Sequence, residues 1–72
     1  MAEIKFLGYL SEKVGQENFQ VILEKPAPLK EICLLPFNEE DVLILIGQKK
    51  GHFDSVIEDK SSVTIMPILS GG

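Results

Sequence analysis

The apolar run Val42–Ile46, "VLILI", constrains the fold of this chain more than any other feature. It holds five consecutive aliphatic residues, most of them β-branched, which is typical of a strand buried on both faces inside a sheet. The run is far too short to span a bilayer. The rest of the chain must therefore supply the neighbouring strands and the layer that covers them.

Two alternating segments precede this run and predict a pair of antiparallel strands. "EIKFLGYL" and "NFQVILE" alternate apolar and polar side chains, as half-buried strands do. The link "SEKVGQE" predicts a loop of several residues, with Val14 as an apolar anchor. The inward positions are Ile4, Phe6 and Leu10 in the first segment and Phe19, Val21 and Leu23 in the second.

A short helix is predicted between this hairpin and the apolar run. Pro28 suits the first helical position, and Leu29, Ile32 and Cys33 follow with the spacing of one helix face. Pro36 ends the helix at about Leu35, because proline cannot continue a helix. So short a helix is stable only when packed on a sheet.

The region after the apolar run predicts a turn, a short strand, a loop and a final strand. "GQKKG" is the turn, followed by a short strand around His52 and Phe53, and by a loop with Val56 and Ile57 directed inward. "VTIMPIL" is the final strand, with Val63 and Ile65 facing the core. We predict an α+β fold: a mixed sheet of four to five strands with one short helix packed on one face. If the last strand lies parallel to the first, the arrangement is the β-grasp of ubiquitin.

Composition excludes several function classes. The 72 residues form one domain at most. The formal net charge is -4, and the lysines are dispersed, so the basic face that nucleic acid requires is not expected. The acidic balance suits either a basic docking partner or solubility alone. One cysteine and one histidine are too few for a zinc site, and with no leader or membrane segment predicted we expect a cytoplasmic protein.

The C-terminal residues carry the strongest functional signal. We predict a β-grasp domain over residues 1–68 and a flexible tail over 69–72 that ends in Gly71 and Gly72. A Gly-Gly arm is thin enough to enter a narrow channel, because it has no Cβ atoms. Its terminal carboxylate is an unreactive anion at neutral pH, so it has to be activated, for example as an acyl-adenylate made with ATP. A frayed chain end is the alternative interpretation.

The strand and helix pattern ending in "VTIMPILSGG" resembles the ubiquitin-like sulfur carriers. Pro67 followed by Ser70-Gly71-Gly72 is most similar to the small subunit of molybdopterin synthase. "IKFLGYLSEKVG" and "LILIGQKKG" resemble that family's first strand and turn and its third strand and hairpin. The resemblance covers essentially the whole chain, and the tail is its specific motif.

The resemblance implies a role for each tail residue. An adenylyltransferase similar to the ubiquitin-activating enzyme would adenylate the carboxylate of Gly72, using ATP, and a sulfur donor would convert it to a thiocarboxylate. Gly71 would be the adjacent residue, which has no side chain to obstruct a channel. Leu69 and Ser70 would form the arm that is inserted into the large subunit of molybdopterin synthase. The chain itself would bind no cofactor and would not be an enzyme, since the catalytic residues would lie on partner proteins.

Other functions remain open from the residues. The thiamin-thiazole sulfur carrier, carriers for transfer-RNA thiolation, ubiquitin-like modifiers and a non-catalytic β-grasp binding module share this pattern. Cys33 is interpreted as a buried apolar residue and His52 as a solvated turn residue, rather than as reactive groups. The acidic "NEED" and the pair Lys49 and Lys50 are interpreted as solvated turns.

Overall fold

A computed structural model describes residues 1–68 of the chain. Within this range there are seven strands, two short α-helices and one 3-10 turn. The strands are β1 (Ala2–Phe6), β2 (Asn18–Val21), β3 (Ala27–Pro28), β4 (Val42–Ile46), β5 (Lys49–Gly51), β6 (Val56–Ile57) and β7 (Ser62–Pro67). The helices are α1 (Leu10–Val14) and α2 (Leu29–Ile32), and the 3-10 turn covers Glu39–Asp41.

Five of the strands form one mixed sheet in the order β2-β1-β7-β4-β5. β1 pairs antiparallel with β2 and parallel with β7, and β4 pairs antiparallel with both β7 and β5. The last strand therefore lies beside the first and parallel to it. The topology is the predicted β-grasp, with an additional small sheet formed by β3 and β6.

The core lies on one face of the five-stranded sheet, beneath α2. Ile65 of β7 is in register with Phe6 of β1 on one side and with Ile44 of β4 on the other. Full burial of an aliphatic side chain of this size contributes about 1.5–3 kcal/mol. The buried apolar residues are Ala2, Ile4, Phe6, Leu10, Leu29, Val42, Ile44, Ile57, Val63 and Ile65.

The predicted loop after the first strand is in part a helix, so that prediction was wrong. β1 ends at Phe6, and α1 begins at Leu10, which is fully buried. Val14 packs against the core from the same helix face, as predicted for an anchor. The helix stops at Gly15, whose φ of +93° allows its N–H to donate to the carbonyl of Ser11 at 2.9 Å.

Helix α2 is shorter than predicted. It ends at Ile32, and Cys33 is extended with φ -146° and ψ 159°. Pro36 accounts for the early end, because it has no N–H to donate to the carbonyl of residue 32 and disfavours helical backbone before it. At the other end, the N–H groups of Leu29 and Lys30 donate to carbonyls of the 53–55 loop at 2.9 and 3.0 Å.

The remaining elements match the prediction in part. β4 lies inside the sheet as predicted, but only one of its faces is fully buried. The short strand β5 ends at Gly51, before the predicted His52 and Phe53. Ile57 is buried as predicted, whereas Val56 is exposed because it lies on the outer face of the small sheet. One further helix, α1, was not foreseen.

The carboxylate of Asp59 joins three parts of the chain. It accepts hydrogen bonds from the N–H of Leu23 at 2.8 Å and from the ammonium group of Met1 at 2.9 Å. These two donors, the first more than the second, hold the pKa of Asp59 below its usual value. The carboxylate therefore links the start of β1, the end of β2 and the loop before β7.

No helix within residues 1–68 has both the length and the apolar character needed to cross a membrane.

Candidate functional site

The candidate site is the carboxyl end of β7, where the predicted tail begins. The carbonyl of Ile65 accepts from the N–H of Leu7 at 2.9 Å, and the N–H of Ile68 donates to the carbonyl of Asp41 at 3.0 Å. Backbone groups alternate in direction along a strand. The nitrogen of Pro67 therefore faces β1, where proline has no hydrogen to donate, and pairing with β1 ends there. Pairing on the β4 side continues to Ile68.

The turn after β1 closes against the proline ring. Gly8 has φ +59°, a conformation that favours glycine. A Cβ atom at Gly8 would lie 3.3 Å from Cγ and 3.6 Å from Cδ of Pro67. Gly8 thus allows the backbone to approach Pro67 closely, and this contact together with the Ile68 hydrogen bond positions the last two described residues.

The predicted site residues themselves lie outside the described residues. Leu69, Ser70, Gly71 and Gly72 follow Ile68 directly, and their roles stay predictions. The same holds for the division of the chain into residues 1–68 and 69–72. What is described is the root of the tail: Pro67, Ile68 and the groups that hold them.

Beside this root, the sheet presents a partly apolar surface that we call the open face. It is the face opposite the core, because successive side chains of a strand point to opposite faces. Leu43 is in register with Met66, and Leu45 with Thr64; all four side chains are half-buried. Glu3 and Ser62 lie on the same side of the sheet, farther from the tail. We use the name open face for the part nearest the tail, which is formed by Lys5, Leu43, Leu45, Lys50, Thr64 and Met66.

Two lysines flank the apolar centre of the open face. Lys5 is in register with Thr64, and Lys50 with Leu45, so one lysine lies on each side of the β4–β7 pair. Lys5 is also 3.9 Å from Glu3. The face is thus apolar in the middle and carries one lysine at each margin, with Glu3 beside Lys5 at one of them.

The family resemblance leads us to expect an apolar docking face on the exposed side of the sheet, but the sequence does not assign residues to it. Alternation directs Val63 and Ile65 to the core and so leaves Thr64 and Met66 on the other face, but the pattern of the run Val42–Ile46 predicts a strand buried on both faces. The sequence did contain one indication of this face. Because Val63 and Ile65 point to the core, the intervening Thr64 and Met66 must lie on the opposite face, beside side chains of a neighbouring strand. Register with β4, which sequence alone does not fix, makes Leu43 and Leu45 those partners.

The open groove beside Ile68 brings acidic and basic groups together at the start of β4. Its lining includes Glu39, Glu40, Lys50, His52 and Ile68. Nδ1 of His52 lies 3.8 Å from Oε2 of Glu39, and both side chains are exposed. The other carboxylate oxygen of Glu39 accepts from the N–H of residue 53 at 2.7 Å. His52 is therefore a solvated turn residue, as predicted. The carboxylate of Glu39 lies beside its ring, and its backbone N–H donates to the hydroxyl of Ser55 at 2.8 Å.

Cys33 matches its predicted environment but not its predicted element. It is half-buried and packs against the core from the extended segment after α2. Burial raises the pKa of its thiol, which disfavours the reactive thiolate at neutral pH. This is the environment of a structural cysteine.

One solved structure with a similar fold is the crystal structure of SAMP1 from Haloferax volcanii. The two chains superpose with a TM-score of 0.72, over 99% of this chain and 98% of the other. Their sequence identity is 17%, so the likeness is evidence for the fold alone. No known protein-family profile matches the sequence, and no curated protein matches it. Together with the strand order, the superposition confirms that this chain is a small α+β protein with the β-grasp fold.

Proposed function

We propose that this protein is a sulfur carrier whose reactive group is the carboxylate of Gly72. A partner adenylyltransferase similar to the ubiquitin-activating enzyme joins that carboxylate to the AMP part of ATP and releases pyrophosphate. Sulfide supplied by a sulfur donor then attacks the carbonyl carbon and displaces AMP, so that a carbon–sulfur bond forms as the carbon–oxygen bond to the phosphate breaks. The thiocarboxylate is the form that delivers sulfur.

The observation that carries this proposal is the position of Ile68, the last described residue, beside the sheet. The backbone is hydrogen-bonded to β4 up to Ile68, and the sequence continues with Leu69-Ser70-Gly71-Gly72. A body fixed to that point can present a four-residue arm at a reproducible place. Extended, the arm reaches about 13 Å from the sheet.

We further propose that the sulfur acceptor is a pterin precursor held by the large subunit of molybdopterin synthase, in the synthesis of molybdenum or tungsten cofactor. The support is the Pro67 and Ser70-Gly71-Gly72 context of the tail. Thiamin-thiazole synthesis and transfer-RNA thiolation use the same thiocarboxylate chemistry and are the alternative acceptors. In each case the catalytic residues lie on the partner proteins, and ATP is used by the activating enzyme.

The open face is the proposed docking surface for the activating enzyme. It adjoins the strand that ends in the tail, and its apolar centre can be buried without removing a charge from water. The flanking Lys5 and Lys50 favour a partner with carboxylates at the margin of its docking site.

Intact mass spectrometry tests the carrier proposal. The protein is incubated with an activating enzyme, ATP and a sulfur donor, and each component is omitted in turn. Exchange of one carboxylate oxygen for sulfur adds about 16 Da, and only the complete mixture should show it. A mass unchanged in the complete mixture, with an activating enzyme that charges its own carrier, would contradict the proposal.

A ubiquitin-like modifier is the second candidate, because the same acyl-adenylate reacts with amines. A lysine of another protein would then displace AMP and form an isopeptide bond. The same experiment separates the two functions: a modifier yields conjugates larger than the free chain, whereas a carrier yields the thiocarboxylate alone.

A further inference from the structure

The outer edge of β2 is an open strand edge. The N–H of Phe6 donates to the carbonyl of Glu17 at 2.8 Å, which fixes the direction of the backbone groups that follow. Because these groups alternate along a strand, those of Asn18, Gln20 and Ile22 point away from β1. Three N–H donors and three carbonyl acceptors therefore face outward along one edge of the sheet.

This edge lacks the features that usually protect a sheet edge. Its outward-facing groups make no hydrogen bond to other described residues, and the segment 18–22 contains no lysine and no proline. Ile22 is 73% exposed. The opposite edge, β5, carries Lys49 and Lys50, and lysines on an edge strand are one way in which natural sheets discourage pairing.

From this edge we infer that two copies of the chain pair through β2, antiparallel about a two-fold axis at Gln20. In this register Gln20 faces Gln20 of the second copy, and Asn18 faces Ile22. Each outward N–H then donates to an outward carbonyl of the other copy. The three facing pairs exchange two hydrogen bonds each, six in all, with the spacing of an antiparallel sheet. The result is one continuous sheet across both copies.

The side chains of β2 are complementary to themselves in this register. Phe19 lies opposite Val21 of the second copy on the core face, where both are half-buried in the single chain. Aromatic and β-branched residues form favourable cross-strand pairs. Glu17 lies opposite Leu23, so no carboxylate faces another carboxylate even though each copy carries a charge of -4. These two properties favour a second copy over an unrelated extended segment.

The expected dimer is weak and leaves the tail accessible. A paired stretch of five residues is about 17 Å long and buries less than the 1,200 Å² typical of stable complexes, so we expect a dissociation constant on the order of 0.1–1 mM. β7 lies two strands away from β2, a separation of about 10 Å. The pairing is therefore independent of the proposed sulfur-carrier function.

Sedimentation equilibrium on the full chain tests the pairing with three variants. The unchanged chain should show a dimer that dissociates on dilution. Gln20→Pro should abolish it, because the lost N–H faces outward and is not needed for pairing with β1. Gln20→Lys, which is compatible with folding beside Glu3, should raise the dissociation constant about threefold to tenfold. Gln48→Lys, the same change in the exposed β4–β5 turn, is the matched control and should have no effect.

Oxidative cross-linking tests the register. In a Cys33→Ala background, Gln20→Cys places two sulfurs opposite each other, with Cα atoms about 5.5 Å apart, as a disulfide requires. Asn18→Cys places them about 14 Å apart. The first variant should form a covalent dimer, and the second should not.

Three results would overturn the inference. One is a chain that stays monomeric at all concentrations up to several times the expected constant, which would leave the edge to a different extended segment. Another is a dimer that Gln20→Pro does not weaken. The third is equal cross-linking of the Gln20→Cys and Asn18→Cys variants.

Discussion

The backbone N–H of Ile68 donates to the carbonyl of Asp41 at 3.0 Å, one residue beyond the proline that ends β7. Because Pro67 faces β1 and cannot donate, the chain leaves one neighbour of β7 before it leaves the other. The backbone at the root of the tail is thus hydrogen-bonded on the β4 side alone, while the turn at Gly8 packs against the Pro67 ring on the other side. The distance that an extended tail could span is therefore counted from Ile68.

Tail length should decide activation. Deleting Gly72, or adding one residue after it, moves the terminal carboxylate by about 3.5 Å, whereas a misplacement of 1 Å costs about a hundredfold in rate. Both variants should lose adenylation, measured as ATP–pyrophosphate exchange. Their urea unfolding curves should match that of the unchanged chain, since neither alters residues 1–68. Near-normal exchange by either variant would count against a threaded arm.

A charge on the open face should weaken docking without unfolding the domain. Leu45→Asp places a carboxylate at the apolar centre of that face, and we expect the KM for the carrier in the activation assay to rise about tenfold or more. Val56→Asp is the matched control, because Val56 is an exposed strand residue of the small sheet. Equal effects of the two changes would show that the open face is not the docking surface.

Substituting alanine for Gly8 and for Gly15 should show how much the close approach of Gly8 to Pro67 contributes to stability. Both have positive φ, +59° and +93°, but a Cβ atom has open space at Gly15 and meets the Pro67 ring at Gly8. Gly15→Ala should reduce the free energy of unfolding by about 1 kcal/mol, from backbone strain alone. Gly8→Ala should cost more, about 2 kcal/mol, because the ring must also shift. Urea unfolding of the two variants gives the comparison, and a smaller loss at Gly8 would mean that the ring yields freely.

Asp59 should make the fold sensitive to acid. Its pKa is lowered in the folded chain by the N–H of Leu23 and the ammonium of Met1, so its stabilising effect is complete above its unfolded pKa of about 4. That effect is lost as the pH falls through the lower folded value. Asp59→Asn should therefore be less stable at neutral pH, and the difference should shrink as the pH falls below about 4. A difference that is constant from neutral to acidic pH would contradict this role.

The two faces of β7 should respond oppositely to the same substitution. Ile65→Asp places an unpaired charge in the core and should unfold the domain, since such changes are among the most destabilising known. Thr64→Asp, one residue earlier, points to the open face and should leave a folded protein with a cooperative thermal transition. Circular dichroism distinguishes these outcomes; a folded Ile65→Asp variant would mean that the inward face is assigned wrongly.

Alternation along the strands was enough to predict most of the sheet. Ile4 and Phe6 of β1 and Val63 and Ile65 of β7 were assigned correctly to the inward face, because each strand has one buried and one open face. Leu10, assigned to the first strand, is buried but lies in α1. The parallel placement of β7 beside β1 was only the condition under which the element order gives a β-grasp, and the register of the two strands shows that this condition holds.

The prediction from sequence was wrong for helix α1 and for the end of helix α2, where only a few residues determine the local structure. α1 is a single turn of helix that depends on burial of Leu10 and on the positive φ of Gly15, neither of which periodicity over so few residues can reveal. The end of α2 was placed near Leu35 because Leu29, Ile32 and Cys33 fit a helix face. The same side chains reach the core from an extended Cys33.

The candidate site was predicted only in its chemistry. The Gly-Gly tail can be recognised from the sequence because its composition differs from that of a strand or helix. The open face depends on which residues of β4 meet those of β7, and that register is set by tertiary packing. The contact between Gly8 and Pro67 joins residues 59 positions apart, which no local pattern encodes.

The place of β7 in the sheet has a consequence for biosynthesis. It is hydrogen-bonded to β1 and to β4 on its two sides, yet it is synthesised after both. Until residue 67 has left the ribosome, β1 and β4 have no shared neighbour and the sheet cannot close. The nascent chain must therefore wait with two unsatisfied strand edges, and folding dominated by such distant pairings is slow, on the order of milliseconds to seconds.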